Sequence, residues 1–341
     1  MFVFALWGIC KSDDAVSESE RRPLKQFPTL NVEEVLSGRF QSNFESYTLD
    51  QFPLRDTFRT LKALPVRDLF REKDNNGIYV ADGYAAKLDP TLNESSLDHA
   101  ADRFRYVYET YFKDTGANVY LSVIPDKNFF LAAENGYPVM DYDKLFALVQ
   151  EKTDFAQYID LTDALSLSSY YRTDTHWRQE ALVPVASALA DAMDVSIPTD
   201  FTPVTLDTPF YGVYRGQSAL PLAPDRLTYL TNNVLDACRV YDYENSEYLP
   251  VYTLEKADGS DPYEIFLSGP KSLLRIENPN AKTERRLIVF RDSSPRALSR
   301  YLRRGTSEIT LVDIRYLSPT MLDKFIDSPR RTCCSSTARA C

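Results

Sequence analysis

The chain has 341 residues, enough for one large domain or two ordinary ones, and 44% of them are apolar, which supplies a real core and excludes a disordered or collagen-like chain. Lys plus Arg number 39 against 49 Asp plus Glu, and the resulting net charge of −10 repels a phosphate backbone or an anionic bilayer, which argues against nucleic acid as a partner. No window approaches the roughly 20 consecutive apolar residues of a membrane span.

The chain opens on Met1-Phe-Val-Phe-Ala-Leu-Trp-Gly-Ile-Cys10, an apolar run stopped by Lys11. It has the length of a signal h-region without a basic flank, so it reads either as a first strand or frayed tail or, as preferred here, as the remnant of a secretory anchor covering residues 1–16. The second reading places everything after it outside the cytoplasm, with membrane contact only through that anchor. Residues 17–70 are charged and Pro-punctuated, with helical stretches around Glu33–Phe44 and Thr57–Leu64.

From Ser95 an α/β rhythm sets in. Leu97, Ala100, Ala101, Phe104, Val107, Tyr108, Tyr111 and Phe112 recur at the 3.6-residue period of an amphipathic helix, and the β-rich run Asn118–Ile124 ends at Pro125. The alternation continues with a helix around Tyr142–Val149, a strand at Tyr158–Leu161 and an Ala- and Leu-rich helix from about Gln179 to Met193. It resumes with strands at Arg286–Phe290 and Glu308–Val312 and helices at Ala297–Leu302 and Thr320–Ile326. These are the parts of a parallel sheet covered on both faces. Between them, residues 201–280 are rich in Tyr, Pro, Asp and Thr, with strand-like pieces at Arg226–Leu230, Arg239–Tyr243 and Tyr248–Leu254, an antiparallel insertion on one domain spanning 17–326.

The last stretch, 327–341, is basic, Cys-rich and without hydrophobic period, unlike the acidic, Cys-poor chain it follows. It reads as a disordered terminus or as an out-of-frame segment. Plausible codons shifted by two bases spell Pro-Ala-Glu-Asp-Val-Leu-Phe-Leu-Tyr-Ser-Thr-Ser-Val, which has the character of a buried parallel strand. The five cysteines, Cys10, Cys238, Cys333, Cys334 and Cys341, form no CxxC pair and no evident disulfide framework.

Chemistry concentrates in two places. Histidine occurs twice, at His99 and His176. His99 lies beside Asp98 and Asp102 among solvated charges and reads as a surface residue. His176 lies in Tyr170-Tyr-Arg-Thr-Asp-Thr-His-Trp177; in an extended strand end Asp174 and His176 share a face, so the carboxylate accepts the imidazole Nδ1–H and the ring acts as general base. As a bare pattern Asp-x-His is weak, and it more often marks a helix-entry Asp with a buried structural His. The second place is Leu287-Ile-Val-Phe-Arg-Asp-Ser-Ser-Pro295, an apolar strand turning into a polar Asp-Ser and a helix. There Ser293 is either a reactive group at the carboxyl end of a parallel strand or one of three ordinary caps, with Asp292 and Ser294. The two patterns in one α/β chain point to Ser-His-Asp chemistry. Two distant histidines argue against a metal site, and 11 glycines with no phosphate-binding string argue against a nucleotide cofactor, so no cofactor is expected.

Tyr171-Arg-Thr-Asp-Thr-His-Trp177 resembles the signature of the DHHW protein family of bacterial envelopes, with Thr175 where the first His of that name stands. Ser17-Glu-Ser-Glu-Arg-Arg22, Asp50-Gln-Phe-Pro-Leu-Arg-Asp56, Ile124-Pro-Asp-Lys-Asn128, Phe210-Tyr-Gly212, Asp261–Gly269, Phe290-Arg-Asp-Ser293 and Val312-Asp-Ile-Arg-Tyr316 resemble the same family. That family is similar to the SGNH-hydrolase-like proteins of alginate acetylation. The resemblance implies an SGNH, flavodoxin-like three-layer α/β/α sandwich, with Ser293 as nucleophile, His176 as general base and Asp174 as its orienting acid. The Ser N–H gives one oxyanion donor, and Arg291, Arg215 or Asn128 the second. Ser294-Pro295 departs from the family, which carries an aromatic residue after the nucleophile.

Two functions follow. One is an extracytoplasmic O-acyltransferase or esterase acting on a cell-envelope polysaccharide, supplied by an acyl donor protein such as a membrane-bound O-acyltransferase. Its sugar would meet the tyrosines of the insertion, Tyr211, Tyr214, Tyr229, Tyr241, Tyr243 and Tyr248, although most of these also suit half-buried β structure. The other is a non-catalytic scaffold or carbohydrate-binding protein of an envelope polysaccharide assembly system.

Overall fold

The computed structural model describes residues 2–68, 73–197, 200–291, 306–325 and 331–338. They fall into two compact units: Met1–Lys87 with Arg172–Asp174 and Tyr211–Pro224, and the remainder of the chain.

The first unit holds helices α1 (Phe2–Cys10), α2 (Val32–Leu36), α3 (Arg39–Asp50) and α4 (Arg55–Asp68), and a short helix at Val213–Ser218. It also holds two antiparallel pairs, β1 (Val16–Ser17) with β2 (Arg22–Pro23) and β3 (Ile78–Ala81) with β4 (Tyr84–Lys87). The apolar opening is helical rather than a strand. At nine residues it is about 14 Å long against a hydrocarbon core of about 30 Å, and among the described residues no helix is long and apolar enough to cross a membrane. The single helix expected over 33–44 is split at Gly38, whose φ of 77° ends α2 and starts α3. The β3–β4 hairpin turns on Asp82-Gly83, both at positive φ, the two-residue turn whose twist matches the strands. Its buried residues Ile78 and Ala85 pack with Tyr214, while Ala63 packs with Ala219 and Leu220.

The second unit is a mixed α/β fold. Its strands are β5 (Val119–Ile124), β6 (Gln157–Tyr158), β7 (Thr202–Phe210), β8 (Asp225–Thr231), β9 (Arg239–Asp242), β10 (Glu247–Leu249), β11 (Leu273–Glu277), β12 (Arg286–Arg291), β13 (Glu308–Asp313) and β14 (Arg331–Ala338). Eight of them form one sheet in the order β10-β9-β11-β13-β12-β14-β5-β6. The run β13-β12-β14-β5-β6 is parallel, and β11, β9 and β10 continue it antiparallel at one edge. Within 201–280, therefore, β7 and β8 pair apart from the main sheet, and β9, β10 and β11 extend its edge.

Alternation along the strands divides the core. Leu287 and Val289 of β12, Ile309 and Leu311 of β13 and Tyr120 and Ile124 of β5 join one cluster with Val185, Ala186, Leu189 and Ala190 of helix α8 (Val183–Ala192). Ile288 and Phe290 of β12 and Val312 of β13 join a second with Val107 of α5 (Glu94–Tyr111). Leu121 and Val123 of β5 join a third with Leu145 and Val149 of α7 (Tyr142–Lys152), with the one-turn helix α6 (Asn128–Leu131) between β5 and α7 in the chain. The helix expected over 179–193 begins later: Gln179–Ala181 form a 3-10 turn and Pro184 occupies the first turn of α8. The polar stretch at the end of the sequence supplies β14, which lies between β12 and β5.

Candidate active site

Asp174 is built into the first unit. Its side chain is fully buried, and a bare carboxylate there costs several kcal/mol unless donors face it. The segment after Phe210 supplies them: Val213 N–H donates to Oδ2 at 2.9 Å, Gly212 N–H to Thr173 Oγ1 at 2.9 Å, and Tyr214 N–H to the Thr173 carbonyl at 3.0 Å. On the other edge of the same segment, Ala85 N–H of β4 donates to the Arg172 carbonyl at 2.7 Å. Arg21 adds a charge, with Nη1 3.4 Å from Asp174 Oδ2 and Nη2 donating to the Tyr211 carbonyl at 2.8 Å.

This approach is possible because residue 212 is glycine. A Cβ there would lie 2.2 Å from the Thr173 carbonyl oxygen, and one on Gly216 would lie 1.6 Å from that of Ser19. The charges around Arg21 are tied in turn: Glu20 pairs with Arg55 at 2.5 Å and Arg59 at 3.1 Å, and Arg22 holds both oxygens of Asp50 at 2.9 and 2.6 Å. Hydrogen bonding from Arg22 holds the Asp50 carboxyl down at about 2, against the opposing effect of burial. The 17–22, 50–56 and 210–212 stretches thus form one polar frame ending on Asp174.

His176 belongs to the second unit. Residues 172–176 form bends rather than an extended strand, so strand alternation does not govern the relation of Asp174 to His176. The loop is closed by the isolated bridge Tyr170–Trp177 and by Tyr171 N–H donating to the His176 carbonyl at 3.1 Å. Lys127, itself buried, donates from Nζ to the Tyr171 carbonyl at 2.9 Å, and Tyr170 Oη donates to the Pro125 carbonyl at 2.6 Å, so the 124–128 stretch anchors this loop. Tyr263 lies on the imidazole, with ring centroids 4.0 Å apart and 15° between planes. Asp261 positions that ring by accepting from Tyr263 N–H at 3.1 Å. Burial pushes the neighbouring Tyr171 phenol well above its ordinary range, Glu180 adding to the effect, so it stays neutral.

Among the other residues singled out, Asn128 is buried at the start of α6, its Nδ2 3.3 Å from Asp126 Oδ2. Arg291, fully buried at the end of β12, has Nη1 3.5 Å from Asp313 Oδ2, and Asp313 also takes a bidentate pair from Arg315 at 2.9 and 2.7 Å. Arg215 lies in the first unit, its guanidinium 4.0 Å from the Tyr211 ring centroid and its Nε donating to the Leu222 carbonyl. The tyrosines divide: Tyr211 and Tyr214 belong to the first unit, Tyr229 packs on Tyr252, and Tyr241 meets Tyr243 and Tyr248 on the edge strands. Ser293 lies outside the described residues, two positions beyond the last residue of β12. Arg21, Lys127, Gly212 and Tyr263 fall within the motif stretches of the sequence without a chemical signal of their own; the structure gives each a defined contact.

No protein-family model and no curated protein matches the sequence. Among solved structures, the chain shares the α/β fold of a DHHW family protein from Eubacterium siraeum, with a TM-score of 0.64 and 20% identity over 77% of this chain and 91% of that one. It is also similar to PatB1 of Bacillus cereus, solved with a sulfonyl adduct, with a TM-score of 0.59 and 15% identity over 76% of this chain and 93% of that one. The fold resemblance read from the motifs is therefore present in three dimensions.

Proposed function

We propose that the chain is an extracytoplasmic O-acyltransferase or esterase acting on cell-envelope polysaccharide, on an SGNH-type three-layer α/β/α domain. In this reading Ser293 Oγ attacks an acyl ester carbonyl while His176 takes its proton. The tetrahedral oxyanion collapses, the donor alcohol leaves with that proton, and a sugar hydroxyl or water then accepts the acyl group by the reverse sequence. Asp174 orients the imidazole. Asn128, Arg291 and Arg215 are the groups from which a second oxyanion donor would come, and Tyr211 is offered to the sugar. The acyl group would arrive on a separate donor protein, and the apolar opening helix would serve as anchor.

The observation that carries the reading is the frame around Asp174: a fully buried carboxylate held by the Val213 N–H and by Arg21, with glycine at 212 to admit the backbone. A buried, immobilised carboxylate two residues before a buried histidine is what a histidine base needs for orientation. The sulfonyl adduct on PatB1 supports the same reading, because such adducts form on activated nucleophiles. Turnover of a chromogenic acetyl ester tests it. Activity should vanish in Ser293→Ala and His176→Ala and persist in His99→Ala. A folded protein without turnover, or turnover indifferent to Ser293→Ala, refutes the catalytic reading.

A further inference from the structure

A cavity of about 470 Å³ opens in the second unit beside the first half of α5. Its wall is apolar, formed by Phe104 and Val107 of α5, Phe290 of β12 and Ile314 and Pro319 after β13. Its volume falls within the roughly 300 to 1,000 Å³ typical of small-molecule sites. Among the described residues, the polar groups around it are His99, Arg103, Arg315, Ser95 and Ser96, with no carboxylate. Arg315 is occupied by Asp313, but among the described residues no hydrogen bond or ion pair engages the His99 imidazole or the Arg103 guanidinium. Asp98, the acidic neighbour of His99, is taken by Lys152 at 2.6 Å. On a chain of net charge −10, an apolar hollow rimmed by a guanidinium and an imidazole favours a ligand of negative sign.

We propose that this cavity binds a small amphipathic anion: a short apolar tail against Phe104, Val107, Phe290 and Ile314, and an anionic head between Arg103 and His99. This assignment stands apart from the Ser293 reading and survives its failure. A carboxylate and a phosphate ester present the same head chemistry to Arg103, and both are tested.

Because the chain has two histidines, the His99 C2–H proton resonance is assignable by its loss in His99→Gln and reports on the cavity directly. Titration with hexanoate, hexyl phosphate and hexanol should give a saturable shift of that line with either anion. The neutral alcohol should bind at least about fivefold more weakly, a ratio within the range of a surface charge interaction. Arg103→Gln, a change at an exposed position, should remove the preference for anion over alcohol, and Phe104→Ala should weaken all three. Equal binding of hexanol and both anions, an unmoved His99 line, or undiminished anion binding in Arg103→Gln overturns the proposal.

Discussion

The ring of Tyr263 lies stacked on the imidazole of His176, with centroids 4.0 Å apart and planes 15° from parallel. Tyr263 is itself buried and meets Phe266 at a centroid distance of 4.9 Å, so the stack restrains the imidazole from tilting out of its plane. Aromatic pairs of this kind contribute about 0.5 to 1.5 kcal/mol beyond area burial. If His176 is the base, Tyr263→Ala should lower kcat for an acetyl ester by up to about tenfold with little change in KM. Tyr263→Phe, which keeps the stacked face, should restore most of the rate. Equal losses in both variants would point to the hydroxyl instead and sink the positioning role.

Gly212 sits where no side chain fits. Its added Cβ would fall 2.2 Å from the Thr173 carbonyl oxygen and 2.4 Å from Asp174 N, so Gly212→Ala must push apart the segment that donates to Asp174. The expected loss of stability in urea is at least about 2 kcal/mol, in the range of overpacking. Gly8→Ala, whose Cβ would meet only ordinary contacts at 3.6 Å, serves as control and should cost little. A Gly212→Ala protein as stable as its parent contradicts the close approach.

Asp50 titrates at about 2 because both oxygens receive Arg22, with burial opposing. Its folded value lies below the unfolded one of about 3.9, so the pair stabilises the chain above about pH 4 and this stability is lost as pH falls towards 2. Urea unfolding at pH 5.5 and pH 2.5 should show the parent losing about 1.5 kcal/mol more than Asp50→Asn over that interval. Identical pH dependence of parent and variant removes the pair from the account.

Long periodic elements were legible: α5, α7, β5, β12 and β13 fall where periodicity places them, because each buries a single face or a continuous apolar run. Four features were not. The β3–β4 hairpin is four residues on each side, too short for alternation to stand out, and only Asp82-Gly83 marks it. The frame around Asp174 joins residues 21, 174 and 213, and no local pattern encodes a contact between positions so far apart. Residues 172–176 look extended by composition but bend, because Arg172 and Thr173 bond to β4 and to the 212–214 segment.

β14 is the fourth. It pairs in parallel with β12 and β5 although Arg331-Thr-Cys-Cys-Ser-Ser-Thr-Ala338 lacks the apolar run that an interior parallel strand usually carries. Plausible codons for this stretch, shifted by two bases, set Val-Leu-Phe-Leu-Tyr against residues 333–337. A variant carrying Cys333→Val, Cys334→Leu, Ser335→Phe, Ser336→Leu and Thr337→Tyr should therefore exceed the parent in unfolding free energy by at least about 2 kcal/mol, the transfer value of one large side chain. Unchanged or lower stability means the slot is not selective for an apolar strand.

Covalent labelling tests the catalytic account most directly. The protein treated with an arylsulfonyl fluoride, digested and analysed by mass spectrometry should carry one sulfonyl group on the peptide containing Ser293. That mass should be absent in Ser293→Ala and form at least about a hundredfold more slowly in His176→Ala, the contribution expected of a general base. A folded protein that takes up no label, or takes it up elsewhere at the same rate in all three forms, contradicts the assignment of Ser293 and His176 as nucleophile and base.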